Sequence, residues 1–345
     1  MRMKKSLGLK KFSEKNFSSE TSFNKKKSLG QNFLKSEKAV RQIVEAGELG
    51  VSVKQGKQET VLEIGPGMGV LTSALLEKGA RVIAIEKDDR LIIPLSIKFH
   101  KEIKSGQFVL IHGDVLDFVG KDAMLPSLVN LLSSTQVAQE PFLRKENNKK
   151  INKNSPYENS KDGPYENNGY KLIANIPYYI TGEIIERFHT IENQPKTIVI
   201  LVQKEVAQRI VTKSAPGLEK GIGKANSYIK DRQGKESILS IAVKMYGNPK
   251  IVSIVPMGAF VPAPNVDSAI LSINNIKHFG TQKQEKEFFT ILRASFAHKR
   301  KYMLSNIKTL PINIQKRVME VLIKYKYPES IRAEDIPVAI WKDIV

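Results

Sequence analysis

The chain has 345 residues, of which 41% are hydrophobic, enough for one sizeable core and a smaller second domain. Lysine and arginine outnumber aspartate and glutamate by 55 to 35, and the formal charge of +20 suits a protein that meets a polyanion such as nucleic acid. A Lys-rich and Asn-rich genome would also raise the charge without any functional meaning. Sequence motifs must therefore decide whether the protein binds nucleic acid. Cysteine is absent, which excludes disulfides, thiolate zinc sites and cysteine nucleophiles, and we expect no metal centre.

The first 24 residues form a Lys-rich and Ser-rich arm that we expect to be disordered, because it contains few apolar residues to bury. Its opening, MRMKKSLGLKKF, lacks the apolar stretch of a secretory signal, and no apolar run in the chain approaches the roughly 20 residues that span a bilayer. We therefore expect a cytoplasmic protein without a membrane partner. The arm also fits an organellar transit peptide, although Glu14 and Glu20 argue against that interpretation.

From residue 60 onward, short β-branched or aliphatic runs alternate with segments of helical period. This alternation is typical of βαβ units around a parallel sheet. Residues 71–77 open the first predicted crossover helix. The predicted strands are 61–64, 81–85, 108–111, 171–174 and 197–202. The pattern predicts a doubly wound, Rossmann-like α/β domain over residues 25–273.

Two polar stretches interrupt this domain, one at about 138–169 and one at about 214–236. Neither has an apolar period, and we interpret both as loops. After about residue 273 the strand pattern stops, and apolar residues recur at spacings of three and four. Residues 274–345 are therefore predicted to form a small helical, RNA-binding domain.

A glycine-rich turn follows the first predicted strand of the sheet and leads into a helix. Gly65, Gly67 and Gly69 would let the backbone approach a ligand closely. The dinucleotide fingerprint places its third glycine one residue later, where Val70 stands. The spacing therefore favours S-adenosylmethionine over NAD, although an ordinary strand-to-helix turn could look the same.

An acidic residue follows each of the next two predicted strands. Glu86 comes roughly 20 residues after the glycines, where a carboxylate accepts hydrogen bonds from the ribose hydroxyls of a bound nucleoside. Asp114 could accept from the N6 amine of the cofactor's adenine, but by itself its position favours a turn-forming residue over a ligand. These positions predict a nucleoside-binding edge.

The most specific motif is Asn175-Ile176-Pro177-Tyr178, at the carboxyl end of the fourth predicted strand. An exocyclic adenine amine is a poor nucleophile because its lone pair is delocalised into the ring. The Asn175 side-chain oxygen and the Ile176 carbonyl could accept the two N6 hydrogens and favour a pyramidal nitrogen. Pro177 would fix this carbonyl, and Tyr178 would stack on a splayed-out base. The motif predicts amine methylation.

Four segments together closely resemble the small-subunit rRNA adenine N6,N6-dimethyltransferases. They are LGQNFL at 29–34, GPGMG at 65–69, NIPYYIT at 175–181 and FVPAPNVDSA at 260–269. The resemblance implies S-adenosylmethionine-dependent dimethylation of adjacent adenosines in small-subunit rRNA during ribosome biogenesis. It also implies small-subunit rRNA and a precursor of the small ribosomal particle as partners, and we expect the enzyme to be a monomer.

In that family the stretch that matches residues 31–34 lies over the cofactor. The Phe260 position is associated there with the target base, although the residue could also be a core aromatic. The expected catalytic residues are Asn175, Ile176, Pro177, Tyr178 and Phe260. The expected cofactor-binding residues are Asn32, Leu34, Gly65, Gly67, Glu86, Asp114 and Asn175.

The basic arm and the two polar stretches depart from the family pattern but remove no motif residue. Two alternatives stay open: a large-subunit rRNA adenine methyltransferase of the antibiotic-resistance type, and a mainly RNA-binding assembly or transcription factor. SFAHKRK at 295–301 resembles the small-subunit family more closely than the large-subunit one. The candidates for phosphate contact are Lys204, Arg209, His298, Lys299, Arg300 and Lys301.

Overall fold

A computed structural model describes residues 31–49, 58–120, 124–133, 142–144, 169–212 and 235–344. Ten strands and thirteen α-helices are present in these ranges. The strands are β1 Phe33–Leu34, β2 Thr60–Ile64, β3 Arg81–Glu86, β4 Phe108–His112, β5 Phe142–Arg144, β6 Lys171–Ala174, β7 Thr197–Gln203, β8 Asn248–Val255, β9 Phe260–Val261 and β10 Ser268–Asn274.

The helices surround the sheet and form the carboxyl-terminal part of the chain. They are α1 Glu37–Ala46, α2 Val70–Glu77, α3 Asp89–Lys98, α4 His100–Ser105, α5 Val115–Phe118, α6 Pro126–Ser133, α7 Thr181–Thr190, α8 Lys204–Val211, α9 Ile238–Tyr246, α10 Gln282–Ser295, α11 Met303–Asn306, α12 Ile312–Lys324 and α13 Val338–Ile344. None of the helices in these ranges is long and apolar enough to cross a membrane.

Eight strands form one sheet in the order β5-β4-β3-β2-β6-β7-β10-β8. The six from β5 to β7 run parallel, whereas β10 is antiparallel to both β7 and β8. The chain builds outward from β2 to β5 and then returns to place β6 on the other side of β2. This reversal opens a crevice at the carboxyl ends of β2 and β6, where open α/β sheets bind ligands.

The central strands are buried on both faces, as expected for parallel strands covered by helices. In β3, Ile83 and Ile85 join a core that contains α7 and α8, while Val82 and Ala84 join a second core that contains α1 and α2. The five strands and the first crossover helix expected from the sequence are all present. The doubly wound Rossmann-like fold is therefore confirmed.

A third core joins the carboxyl-terminal helices α10 to α13 with α9. Thr281 caps α10, because its side-chain oxygen accepts from the Gln284 main-chain nitrogen. In return, Oε1 of Gln284 accepts from the Thr281 main-chain nitrogen. Trp341 and Phe288 are fully buried and pack edge to face. The predicted helical character after residue 273 is confirmed. The domain division at that point stays a prediction, because α9 precedes it and contributes to this core.

The strands missed from the sequence lie mainly at the edges of the fold. β5 falls inside the stretch 138–169 that was expected to be a loop throughout, and it extends the sheet beyond β4. The rest of that stretch up to residue 168, residues 214–234 of the second expected loop, and the expected arm at 1–24 lie outside the described residues. Residues 235 and 236 are described, and Glu236 is buried just before α9.

Candidate active site

A cleft of about 1160 Å³, counting its open mouth, lies at the carboxyl ends of β2, β3, β4 and β6. Its walls come from five segments of the chain: 31–34, 63–71 apart from Gly69, 85–87, 113–116 and 175–180. The structure thus brings together every site residue expected from the sequence except Phe260. Within the described ranges, no group of three or more His, Asp or Glu side chains is placed to hold a metal ion.

The glycine turn gives the cleft a bare backbone floor. Gly65 has a φ of +66°, and a Cβ added there would meet no protein atom within 4 Å, so the backbone borders open space. Gly67 has a φ of +59°, and an added Cβ would lie 3.0 Å from Cδ1 of Phe33. Both positions favour glycine for conformation, and Gly67 also leaves no room for a side chain. This floor fits a ligand that lies flat against the main chain.

Glu86 projects into the cleft from the end of β3 and is held by main-chain donors on two sides. Gly67 donates to its Oε2 over 3.2 Å, and Asp88 donates to its Oε1 over 2.7 Å. Burial raises the pKa of Glu86, and these donors act in the opposite direction. The result is a fixed carboxylate with lone pairs left for two hydroxyls, which is the chemistry that a ribose requires.

Asp114 has both a structural and a ligand-facing position. Its Oδ1 accepts from the Leu116 nitrogen over 3.0 Å and caps α5, while Oδ2 lies 2.7 Å from the ammonium of Lys87. Burial would raise the pKa of Asp114, but the hydrogen bonds from Lys87 and Leu116 hold it below its usual range. The turn-forming and acceptor interpretations are therefore compatible.

The motif at 175–178 lines the cleft opposite the glycine turn. The Asn175 amide donates from Nδ2 to the Asn32 carbonyl over 3.1 Å, and this orientation leaves Oδ1 as an acceptor. Ile176 is buried, whereas Tyr178 is partly exposed and its hydroxyl lies 2.5 Å from Oγ of Ser268. Tyr179, beside it, is 63% exposed. Two aromatic rings thus stand at the mouth of the cleft.

Phe260 is buried and is not among the residues that line the cleft. It is only 2% exposed, and in the small sheet of β1 and β9 it lies opposite Leu34, which does line the cleft. Phe260 therefore pairs with β1 and packs in the same core as Leu34. The expectation that it meets the target base stays a prediction.

The structure adds polar residues that had no assigned role in the sequence argument. Gln31 donates to Asp88 over 2.9 Å, and Arg90 holds the same buried carboxylate through Nε and Nη2. The segment 31–34, which roofs the cleft, is thereby bound to the turn that follows Glu86. The Asx cap of α3 at Asp88 was readable from the sequence, but its long-range partner Gln31 was not.

Glu63, in β2 two residues before the glycine turn, has a buried carboxyl group and lines the cleft. Thr72 donates to its Oε2 over 2.7 Å. Burial raises the pKa of Glu63 to about 8, and the nearby Glu86 charge acts in the same direction. Lys98 donates to the carbonyl oxygens of Met68 and Gly69 and so ties the glycine turn to α3. The raised pKa follows mainly from the burial of the Glu63 carboxyl group in the folded protein. Sequence spacing does not reveal how deeply a side chain is buried.

Comparison with known families agrees with the geometry of the cleft. The family model described as "Ribosomal RNA adenine dimethylase" matches residues 22–218 and 226–337. The Ribosomal RNA small subunit methyltransferase A of Dehalococcoides mccartyi strain 195 is 32% identical over 319 residues, which is 92% of this chain and 86% of that protein. The protein of the same name from Clostridium botulinum strain Okra is 33% identical over 302 residues, 87% of this chain and 84% of the relative.

Two solved structures share the fold across nearly the whole chain. The dimethyladenosine transferase of Plasmodium falciparum aligns with a TM-score of 0.56 at 20% identity and covers 90% of this chain and 95% of its own. The 23S rRNA methyltransferase ErmE aligns with a TM-score of 0.55 at 18% identity and covers 91% and 98%. At these identities the likeness concerns the fold alone. The extent of the family match and the identity to relatives that are matched over most of their length establish that the chain belongs to the ribosomal RNA adenine dimethylase family.

Proposed function

We propose that this protein transfers methyl groups from S-adenosylmethionine to the N6 amines of adjacent adenosines in small-subunit rRNA, giving N6,N6-dimethyladenosine. The observation that carries the proposal is Asn175-Ile176-Pro177-Tyr178 at the end of β6, where it faces the glycine turn across one cleft. The names of the relatives, small subunit methyltransferases, support the choice of substrate.

The cofactor would be held by residues that have suitable chemistry and lie in the right order around the cleft. The bare backbone at Gly65 and Gly67 would cradle it, Glu86 would accept from the ribose hydroxyls, and Asp114 would accept from the adenine amine. Asn32 and Leu34 would cover it from the segment 31–34. When bound, S-adenosylmethionine supplies an electrophilic methyl group on a sulfonium.

Asn175 would act on the nucleophile. Its Oδ1 and the Ile176 carbonyl would accept the two N6 hydrogens, so that the nitrogen becomes pyramidal and its lone pair points at the methyl carbon. Methyl transfer would place positive charge on N6, and these two acceptors would stabilise it. The cationic amine would release its proton readily to water, so no strong general base would be required.

Tyr178 would hold the extruded base. Its ring lines the cleft, and its hydroxyl is fixed by Ser268, so the ring offers a preset stacking face. Tyr179, further out, offers a second aromatic surface to a base or its neighbour. Stacking on an aromatic face is the usual way in which a protein captures an unpaired base.

A basic turn between α10 and α11 would bind the rRNA backbone. His298, Lys299, Arg300 and Lys301 are exposed. Asn306 fixes the turn from beneath, since its buried Nδ2 donates to the carbonyls of Ser295 and His298. Arg209 is exposed, and Lys204 is 3.8 Å from Asp267. We propose these cations as phosphate contacts to rRNA in a small-subunit precursor, bound by a monomer.

Methyl transfer to defined ribosomal particles would test this proposal. The protein would be incubated with labelled S-adenosylmethionine and with small or large subunits that lack the modification, and the methylated adenosines would be mapped. We expect dimethylated adenosines in the small subunit only. Label in the large subunit alone would assign the antibiotic-resistance type of activity, and tight RNA binding without label would assign a binding role.

A further inference from the structure

Lys87 lies beside Asp114, at the end of the cleft where the adenine of the cofactor is proposed to bind. It has no role in the function proposed above. It follows Glu86 directly at the end of β3, and it lines the cleft. Its Nζ lies 2.7 Å from Oδ2 of Asp114, which follows the neighbouring strand β4. The Lys87 side chain therefore spans the gap between the carboxylate assigned to the ribose and the carboxylate assigned to the purine.

Asp114 alone would select strongly for an amine at purine C6. An ionised carboxylate only accepts hydrogen bonds, so it pairs with the N6 hydrogens of adenine and repels the carbonyl oxygen at C6 of hypoxanthine. The pKa of Asp114 lies below its usual range, so the group is charged at neutral pH. A polar group that is matched to one partner rejects an analogue that lacks that partner.

Lys87 adds donors at the same place. An ammonium carries three N–H donors and no acceptor, and the hydrogen bond to Asp114 uses one of them. The two others have the chemistry to serve a carbonyl oxygen at C6. With Lys87 and Asp114 side by side, the subsite presents an acceptor for an amine and a donor for an oxygen.

The ion pair is exposed enough for the ammonium to shift between partners. The Lys87 side chain is 53% exposed and that of Asp114 is 26% exposed. Ion pairs in contact with solvent are weak, because water screens the charges and long side chains lose entropy when they are held. Turning the ammonium from the carboxylate toward a ligand therefore has a small cost.

We propose that Lys87 is a specificity-determining residue of the cofactor's purine subsite, which lets the subsite admit nucleosides with an oxygen at C6 as well as those with an amine. This inference rests on the proposed function, since it assumes that the purine of the cofactor lies against Lys87 and Asp114.

Calorimetry with two product analogues tests the proposal without relying on activity. The dissociation constants of S-adenosylhomocysteine and S-inosylhomocysteine would be measured for the full chain. The two differ at purine C6 and in the hydrogen that hypoxanthine carries on N1, and both differences are the same for every variant. Lys87→Met should raise the ratio of the inosyl to the adenosyl constant by about tenfold, the effect of one hydrogen bond from a charged donor. Lys87→Arg, which keeps a cationic donor, should leave the ratio near that of the wild type.

Lys78→Met is the matched control. Lys78 is exposed at the end of α2, at the opposite edge of the sheet, and its loss removes the same charge. A ratio in Lys87→Met within twofold of both the wild type and this control would overturn the inference and leave the proposed function intact. If the wild-type protein bound neither analogue, the proposed cofactor would be wrong, and the inference would fall with it.

Discussion

The Asn175 side chain donates from Nδ2 to the main-chain carbonyl oxygen of Asn32, across 3.1 Å. This bond joins the end of the central strand β6 to the segment that roofs the cleft. It also sets the amide orientation, because the nitrogen is engaged and Oδ1 is left as an acceptor. One hydrogen bond thus orients the amide in the way that the proposed mechanism requires.

Asn175→Ala should lower the single-turnover rate of methyl transfer by about two to three decades, the usual effect of removing one polar group that stabilises charge in the transition state. RNA affinity should change far less. The rate must be measured with saturating S-adenosylmethionine, because Asn175 is also one of the residues proposed to bind the cofactor. A rate close to that of the wild type would contradict the proposed mechanism.

Tyr178→Phe and Tyr178→Ala separate the two functions of this side chain. Phe keeps the ring but loses the bond to Ser268, so capture of the extruded base should remain near that of the wild type. Ala removes the ring and should weaken capture by roughly 1 to 3 kcal/mol, the value of one base–aromatic stack. Binding to RNA that carries a fluorescent adenine analogue measures both. Equal losses in the two variants would mean that the hydroxyl, rather than the ring, matters.

Gly67→Ala should weaken cofactor binding, because the added methyl group would press on Phe33 and the residue would sit in the left-handed region. We expect the affinity for S-adenosylhomocysteine to fall by about tenfold, which corresponds to roughly 1.4 kcal/mol of strain and displacement. Gly182→Ala is the control, since a Cβ at Gly182 in α7 meets nothing within 4 Å. If both variants bound equally well, the close fit at Gly67 would be unimportant.

Glu63 predicts an unusual pH dependence of stability. Its pKa is about 8 in the folded protein, against 4.5 for an ordinary glutamate, so the folded state holds a proton that the unfolded state releases. The stabilisation is complete below pH 4.5 and is lost as the pH rises through about 8. Glu63→Gln, which stays neutral, should therefore gain Tm relative to the wild type as the pH rises from 6 to 9.

Glu77→Gln serves as the control for this series, because Glu77 is exposed at the end of α2. Thermal unfolding across the pH range would give the difference in Tm for each variant. A constant difference for Glu63→Gln would show that the buried carboxyl remains charged in the folded protein.

The affinity for rRNA should fall steeply with salt, since each phosphate contact releases counterions. Replacing Lys299 by Ala should weaken binding to all rRNA sequences alike and reduce the slope of log affinity against log salt by about one. Lys283→Ala is the matched control at the opposite, amino-terminal end of α10. Equal salt slopes in the two variants would place the RNA elsewhere on the surface.

The central strands and the cleft could be predicted because their signals are local. Buried parallel strands appear as continuous apolar runs, and the residues at their carboxyl ends, such as Glu86 and Asn175, meet at one sheet edge by topology. Four of the five expected strands are longer by one residue at one end, and the fifth, residues 171–174, has the expected bounds.

The missed features depend on contacts between distant parts of the chain. β1 and β9 have two residues each, too few to show a period of two. Their pairing, and the bond between Gln31 and Asp88, depend on how the fold brings the segments together. The ion pair of Lys87 with Asp114 was invisible for the same reason, because nothing in the composition of either strand specifies the other.

The pairing of β1 with β9 also affects the order of events during synthesis. Phe33 lies opposite Val261, and the Lys35 nitrogen donates to the Ala259 carbonyl, so the roof of the cleft is anchored to residues more than 200 positions later in the chain. Such a contact forms late, because closing so long a loop costs chain entropy before the contact is gained. A nascent chain can thus assemble the glycine turn and the first strands early. Its roof has nothing to pair with until translation has passed residue 261.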